Sequence, residues 1–67
     1  MVQINGKNED IAGKNLRDYL NAANYDTRII VVEINEKIIE KEKYQNTIIK
    51  DGDIIEIITF MGGGDMI

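Results

Sequence analysis

Cysteine, histidine, serine, proline and tryptophan are all missing from this chain of 67 residues. Without cysteine there are no disulfides, no thiolate metal ligands and no thiol nucleophile; without histidine, the usual near-neutral base and the commonest metal ligand are gone. The hydroxyls that remain belong to Thr27, Thr47, Thr59 and three tyrosines, so catalysis would have to run on these, on lysines and on carboxylates. That is a poor set for chemistry at neutral pH, and it argues against an enzyme. Basic charge is scarce as well: eight Lys and Arg against twelve Asp and Glu leave a net charge of −4, the wrong sign for a phosphate backbone, so no nucleic acid is expected as a partner. No apolar run approaches the roughly 18 residues of a membrane span, and no basic segment leads into a hydrophobic stretch at the N-terminus. The expectation is a cytoplasmic protein with no membrane contact.

What the sequence does have is aliphatic surface. Hydrophobic residues make up 43% of the chain, with isoleucine dominant and gathered in short runs that favour strands. A chain of this length holds one domain and buries only about 60% of its unfolded surface, so its margin of stability is thin.

Val2 and Ile4 alternate around Gln3 and run into Asn5-Gly6, a strong hairpin signal. The return strand, about Lys7 to Ile11, is polar except at its end, as suits an edge. Asn15 can cap a helix with Asp18 at the third helical position, and Leu16, Tyr19, Leu20 and Ala23 repeat at i, i+3, i+4 and i+7, which predicts one apolar stripe. From Ile29 to Ile34 the run is β-branched, and its only charge assigns faces: Glu33 outward with Ile29 and Val31, Ile30, Val32 and Ile34 inward. A short strand at Lys37 to Ile39 follows the Asn35-Glu36 turn. Glu40 to Lys43 reads as a solvated loop, with a short helical turn near Tyr44 as a variant, before Asp51-Gly52-Asp53 turns the chain into a last strand, Ile54 to Phe60.

The order β-β-α-β-β-β in so short a chain implies an α+β fold of the β-grasp (ubiquitin-like) kind, a mixed sheet of four to five strands packed on one helix. Its first and last strands pair at the sheet centre, so residues 1–61 form the domain and residues 62–67 a flexible, glycine-rich tail leaving a rigid strand. Gly62-Gly63-Gly64 has no Cβ and can lie extended in a channel too narrow for side chains; a plain linker is the other reading of three glycines. If Glu56 faces water, Ile54, Ile58 and Phe60 share its face, while Ile55, Ile57 and Thr59 face the helix. Ile58, Phe60 and Met61, with Ile29 and Val31 on the neighbouring strand, then make an apolar docking patch upstream of the glycines; a homodimer contact, or a bulge returning Phe60 to the core, are the alternatives. Gly6 and Gly13-Lys14-Asn15 do not have the spacing or the hydroxyl of a phosphate loop, and Asp51-Gly52-Asp53 lacks the further ligands of a calcium loop. No metal site and no bound cofactor are expected.

Taken together, the pieces resemble a known family. The Asn5-Gly6 turn, the Leu16/Tyr19/Leu20 stripe, Ile34-Asn35 before Ile38-Ile39, Lys41 and Tyr44, Asp51-Gly52-Asp53 and the strand ending in Gly62-Gly63-Gly64 resemble, from Met1 to Gly64, the ThiS family of sulfur carrier proteins of thiamine biosynthesis. The resemblance implies a protein co-substrate. An E1-like activating enzyme would use ATP to adenylate the terminal glycine carboxylate, a sulfur donor such as a desulfurase would supply the sulfur that makes a thiocarboxylate, and thiazole synthase would consume it. The small subunit of molybdopterin synthase, with the same fold and tail chemistry, is a second reading, and a β-grasp interaction module that is never conjugated is a third. Two departures stand out. Glu40 and Tyr44 replace a proline and a tryptophan usual in the family, and Asp65-Met66-Ile67 follow the glycines where members end. Gly64 is therefore an amide in the full chain, and the resemblance implies removal of residues 65–67, with cleavage after Gly63 as the alternative, before sulfur can be carried at Gly64.

Overall fold

The structure is a computed structural model that describes residues 1–60. The elements are β1 (Val2–Ile4), β2 (Lys7–Glu9), α1 (Leu16–Ala22), a 3-10 turn (Thr27–Ile29), β3 (Ile30–Ile34), β4 (Lys37–Ile39), a second 3-10 helix (Lys41–Asn46) and β5 (Ile54–Thr59). The strands form one mixed sheet in the order β2-β1-β5-β3-β4. β5 lies at its centre, parallel to β1 with Gln3 opposite Ile54, and antiparallel to β3 with Val31 opposite Ile58. This is the expected β-grasp arrangement.

Each turn has a local chemical cause. Asn5 and Gly6 both take positive φ, 50° and 85°, as a tight two-residue hairpin requires. Asn15 accepts a hydrogen bond from the Asp18 amide at 3.1 Å, capping α1 as its position predicts. At the other end Asn24 turns left-handed, φ 66°, and stops the helix. α1 has only seven residues, too few to persist alone, so burial holds it: Leu16 and Leu20 are fully inaccessible and meet Val2, Ile30, Val32 and Ile55 from the sheet.

Several expectations are corrected. β2 stops at Glu9, and Ile11 reaches the core from irregular chain instead of from the strand. Ala23 caps the helix C-terminus and is exposed, so the buried stripe consists of Leu16 and Leu20 with Tyr19 half-buried beside them. The segment after β4 is a 3-10 helix that buries Tyr44, in line with the helical variant and not with the open loop. Ile29 precedes β3. Asp26 caps the turn through the Arg28 amide, which winds residues 27–29 into a 3-10 turn and packs a half-buried Ile29 against the core instead of pointing it outward.

Candidate functional site

The end of β5 is the centre of interest, because the glycines follow it. Alternation along the strand is as expected: Ile55 and Ile57 are buried, whereas Ile54, Glu56, Ile58 and Phe60 are exposed. Thr59 has the parity of the helix-facing residues but is exposed too. On the open face Ile58 is 46% and Phe60 55% accessible, with Val31 half-buried directly across from Ile58. The Phe60 amide donates to the Ile29 carbonyl at 2.8 Å, so Phe60 is held in the sheet by its backbone while its ring stays out, and no bulge returns it to the core. Of the five expected docking residues, the structure brings together Ile58, Phe60 and Val31. Ile29 is joined to Phe60 through its backbone but packs its half-buried side chain against the core, and Met61 lies outside the described residues, as do Gly62, Gly63, Gly64 and the rest of the tail.

The patch has a charged border. Glu33 and Glu56 are directly opposite one another across β3 and β5, one step from the Val31–Ile58 pair. Like charges at that position oppose folding slightly. Near the other end of the patch, Arg28 is largely exposed and grips Asp26 through Nε at 3.0 Å and Nη2 at 2.9 Å. Those hydrogen bonds, with the one from the Arg28 amide, hold the Asp26 carboxyl at about 2, below its ordinary value. Lys41 donates to the Arg28 carbonyl at 3.0 Å and ties the second 3-10 helix to this turn.

Two further features position β5 and escaped the sequence reading. The Asn5 carboxamide bridges to Ile57, accepting from its amide at 2.7 Å and donating to its carbonyl at 3.2 Å. Asn35 does similar service at the other end, accepting from the Ile54 amide at 3.0 Å and donating to Asp53 at 3.0 Å. Asparagine in a left-handed turn was the available signal, since both residues have positive φ and a side chain short enough to reach a neighbouring backbone.

The rejected motifs are accounted for by structure. The Gly13 and Lys14 amides donate to the Ile49 and Ile11 carbonyls, so they are not turned toward a phosphate. Asp51 pairs with the N-terminal ammonium, which lowers its pKa, and Asp53 accepts from the Lys50 amide at 2.9 Å. Among the described residues no group of three or more acidic, histidine or cysteine side chains is placed to hold a metal ion. None of the described helices is long and apolar enough to cross a membrane.

Known proteins share this arrangement. The ThiS family model matches residues 2–64. The sulfur carrier protein ThiS of Bacillus subtilis is 40% identical over 68 residues, spanning 96% of this chain and 100% of that protein. The crystal structure of the thiamine biosynthesis protein ThiS from Geobacter metallireducens superposes with a TM-score of 0.74 at 34% identity, covering 94% of this chain and 97% of that one. A thiazole synthase of Paramagnetospirillum magneticum is 36% identical over 62 residues; the match takes in 91% of this chain but 19% of that much longer protein.

Proposed function

This chain belongs to the ThiS family and is a sulfur carrier of thiamine biosynthesis, a co-substrate and not itself a catalyst; from that premise we propose that sulfur rides on the carboxyl carbon of Gly64 after residues 65–67 have been removed. The carrying observation is where the family match stops: it runs to residue 64, the last of the three glycines, and leaves Asp65-Met66-Ile67 outside. Hydrolysis of the Gly64–Asp65 amide frees a carboxylate; hydrolysis one bond earlier would put the same group on Gly63. A carboxylate oxygen attacks the α-phosphate of ATP on an E1-like activating enzyme and expels pyrophosphate. Hydrosulfide, freed from a desulfurase persulfide by a thiol reductant, then attacks the carbonyl carbon and displaces AMP to leave the thiocarboxylate. Adenylation is needed because a free carboxylate is a poor acyl electrophile, and glycine at that carbon leaves the approach open.

The partner that consumes the sulfur is thiazole synthase. A thiazole synthase that carries a segment resembling nearly all of this chain supports the pairing, since joining carrier and acceptor in one polypeptide raises their effective concentration. Ile58, Phe60 and Val31, continued by Met61, are the docking surface for the partner enzymes, with the domain of residues 1–61 as the handle and residues 62–67 as the tail. The work takes place in the cytoplasm, where ATP is supplied.

Intact mass of the protein from its native cells tests this reading, followed by incubation with the activating enzyme, ATP and a sulfur donor. The expected species ends at Gly64 and then exchanges one oxygen for one sulfur. A chain found only at its full 67 residues, or a trimmed chain that never takes up sulfur, would overturn it.

A further inference from the structure

The edge of β5 that faces β1 is closed along most of its length and open at one place. Residues 53, 55 and 57 turn their backbone groups toward β1: the Gln3 amide donates to the Asp53 carbonyl, the Asn5 amide to the Ile55 carbonyl, and the Asn5 side chain serves both polar groups of Ile57. Residues 54 and 60 bond to the β3 side instead. By this alternation Thr59 presents its amide and carbonyl to the β1 side, where β1 has already ended at Ile4 and the hairpin has turned away. On the β3 side the Phe60-to-Ile29 and Asn35-to-Ile54 bonds put Thr59 opposite Ile30 at a non-hydrogen-bonded position of the antiparallel ladder, so its amide and carbonyl are directed away from β3.

This open position is the next along the same edge after the closed one at Ile57, and only Phe60 and Met61 separate it from the tail. The Asn5 carboxamide imitates a peptide group and ends the parallel ladder at Ile57, two residues short of the end of β5. Unpaired groups at a sheet edge are a ready template for another extended chain, and edges with no partner are usually blunted by charge, proline or a bulge. At Thr59 there is none of these. The same stretch of chain carries the exposed rings and branches of Ile58 and Phe60 on the open face, so a partner seated on that face lies beside the vacant edge.

We propose that Thr59 is a backbone recognition point, at which an extended segment of thiazole synthase pairs with the Thr59 amide and carbonyl and prolongs the sheet along the root of the tail. The inference rests on the carrier reading above and adds to it a specific contact: side chains of the patch give adhesion, and the backbone pair fixes the direction in which the tail leaves. Thiazole synthase is chosen as the occupant because the carrier-like segment is found within a thiazole synthase chain.

The test compares the protein as purified from cells with Thr59→Pro and Thr59→Ala, titrated against thiazole synthase from the same organism. Proline removes the donor at a position where this chain has no use for it, so Thr59→Pro is expected to fold, with the Phe60-to-Ile29 hydrogen bond intact. Its affinity for thiazole synthase should fall roughly tenfold, as expected when a hydrogen bond in an interface is left unmade, while Thr59→Ala, which keeps the amide, binds like the parent. In the parent protein, amide exchange at Thr59 should slow on adding thiazole synthase. A folded Thr59→Pro that binds as tightly as the parent overturns the proposal. So does a Thr59 amide that exchanges equally fast in the complex, and that measurement decides the matter if the proline variant does not fold. Protection of Thr59 that grows with concentration of the free protein alone would assign the edge to a second copy of this chain and overturn it too. If parent and both variants all fail to bind, the carrier reading fails first.

Discussion

Asn5 combines two requirements that few residues meet together: it sits at φ 50° in the first hairpin, and its side chain completes the hydrogen bonds of Ile57 on the central strand. Glycine at this position keeps the backbone relaxed and removes only the bridge. Asn5→Gly should therefore cost about 1–3 kcal/mol, two net hydrogen bonds' worth, and Asn5→Ala about 1 kcal/mol more from strain in the left-handed region. Denaturant unfolding of both variants checks this, and a glycine variant as stable as the parent would show the bridge to be idle. Asp26 gives a second prediction at this scale. Its carboxyl is held at about 2 against an ordinary 3.8, so the folded state binds its proton later than the unfolded one. The stabilisation is complete above the ordinary carboxylate range and is lost as the pH falls toward 2. Thermal midpoints measured from pH 5 to pH 2 should drop less steeply for Asp26→Asn than for the parent, and the difference should shrink in high salt because the Arg28 guanidinium is largely exposed. Parallel curves would mean that this ion pair has no bearing on folding.

Among the elements, those with a regular period or a strong turn residue were legible in the sequence: the hairpin at Asn5-Gly6, the helix capped by Asn15, and the alternation of β5. Core residues outside any period were not. Ile11 and Ile49 are buried from irregular chain, and nothing in their neighbours marks them. Ile29 was misplaced because a continuous β-branched run hides where a strand begins; the signal that counts is Asp26, whose side chain closes a turn on the Arg28 amide before the strand can start. The helix is the element with least margin. Seven residues make two turns, and its stabilisation comes from Leu16 and Leu20, both wholly enclosed. Leu20→Ala should cost about 2–5 kcal/mol, which is a large share of the stability of so small a domain. Urea unfolding would show it, and a loss well under the lower figure would mean that the sheet closes over the space.

The molecule as a whole separates its tasks across the two faces of one sheet. The face under α1 is aliphatic and sealed, and among the described residues its side chains leave no buried polar atom without a partner. The other face carries Ile54, Ile58 and Phe60 in the open and ends where the glycines begin, which is the arrangement a carrier needs if partner enzymes are to grip a rigid body and reach a thin tail. Because Phe60 is fixed by its backbone and contributes no buried side chain, its replacement separates binding from folding. Phe60→Asp should leave the free energy of unfolding within about 0.5 kcal/mol of the parent, as for other surface changes. It should weaken association with the activating enzyme by on the order of 2 kcal/mol or more, since an aspartate would have to be buried in an apolar contact without a partner. The carboxylate would also join Glu33 and Glu56 on the same face, so any partner group that answers those acids would offset part of the loss, and the weakening should be smaller at low salt. Titration of the activating enzyme at two ionic strengths measures both effects. Unchanged affinity would remove Phe60 from the docking surface and leave the tail as the whole of what the enzyme recognises.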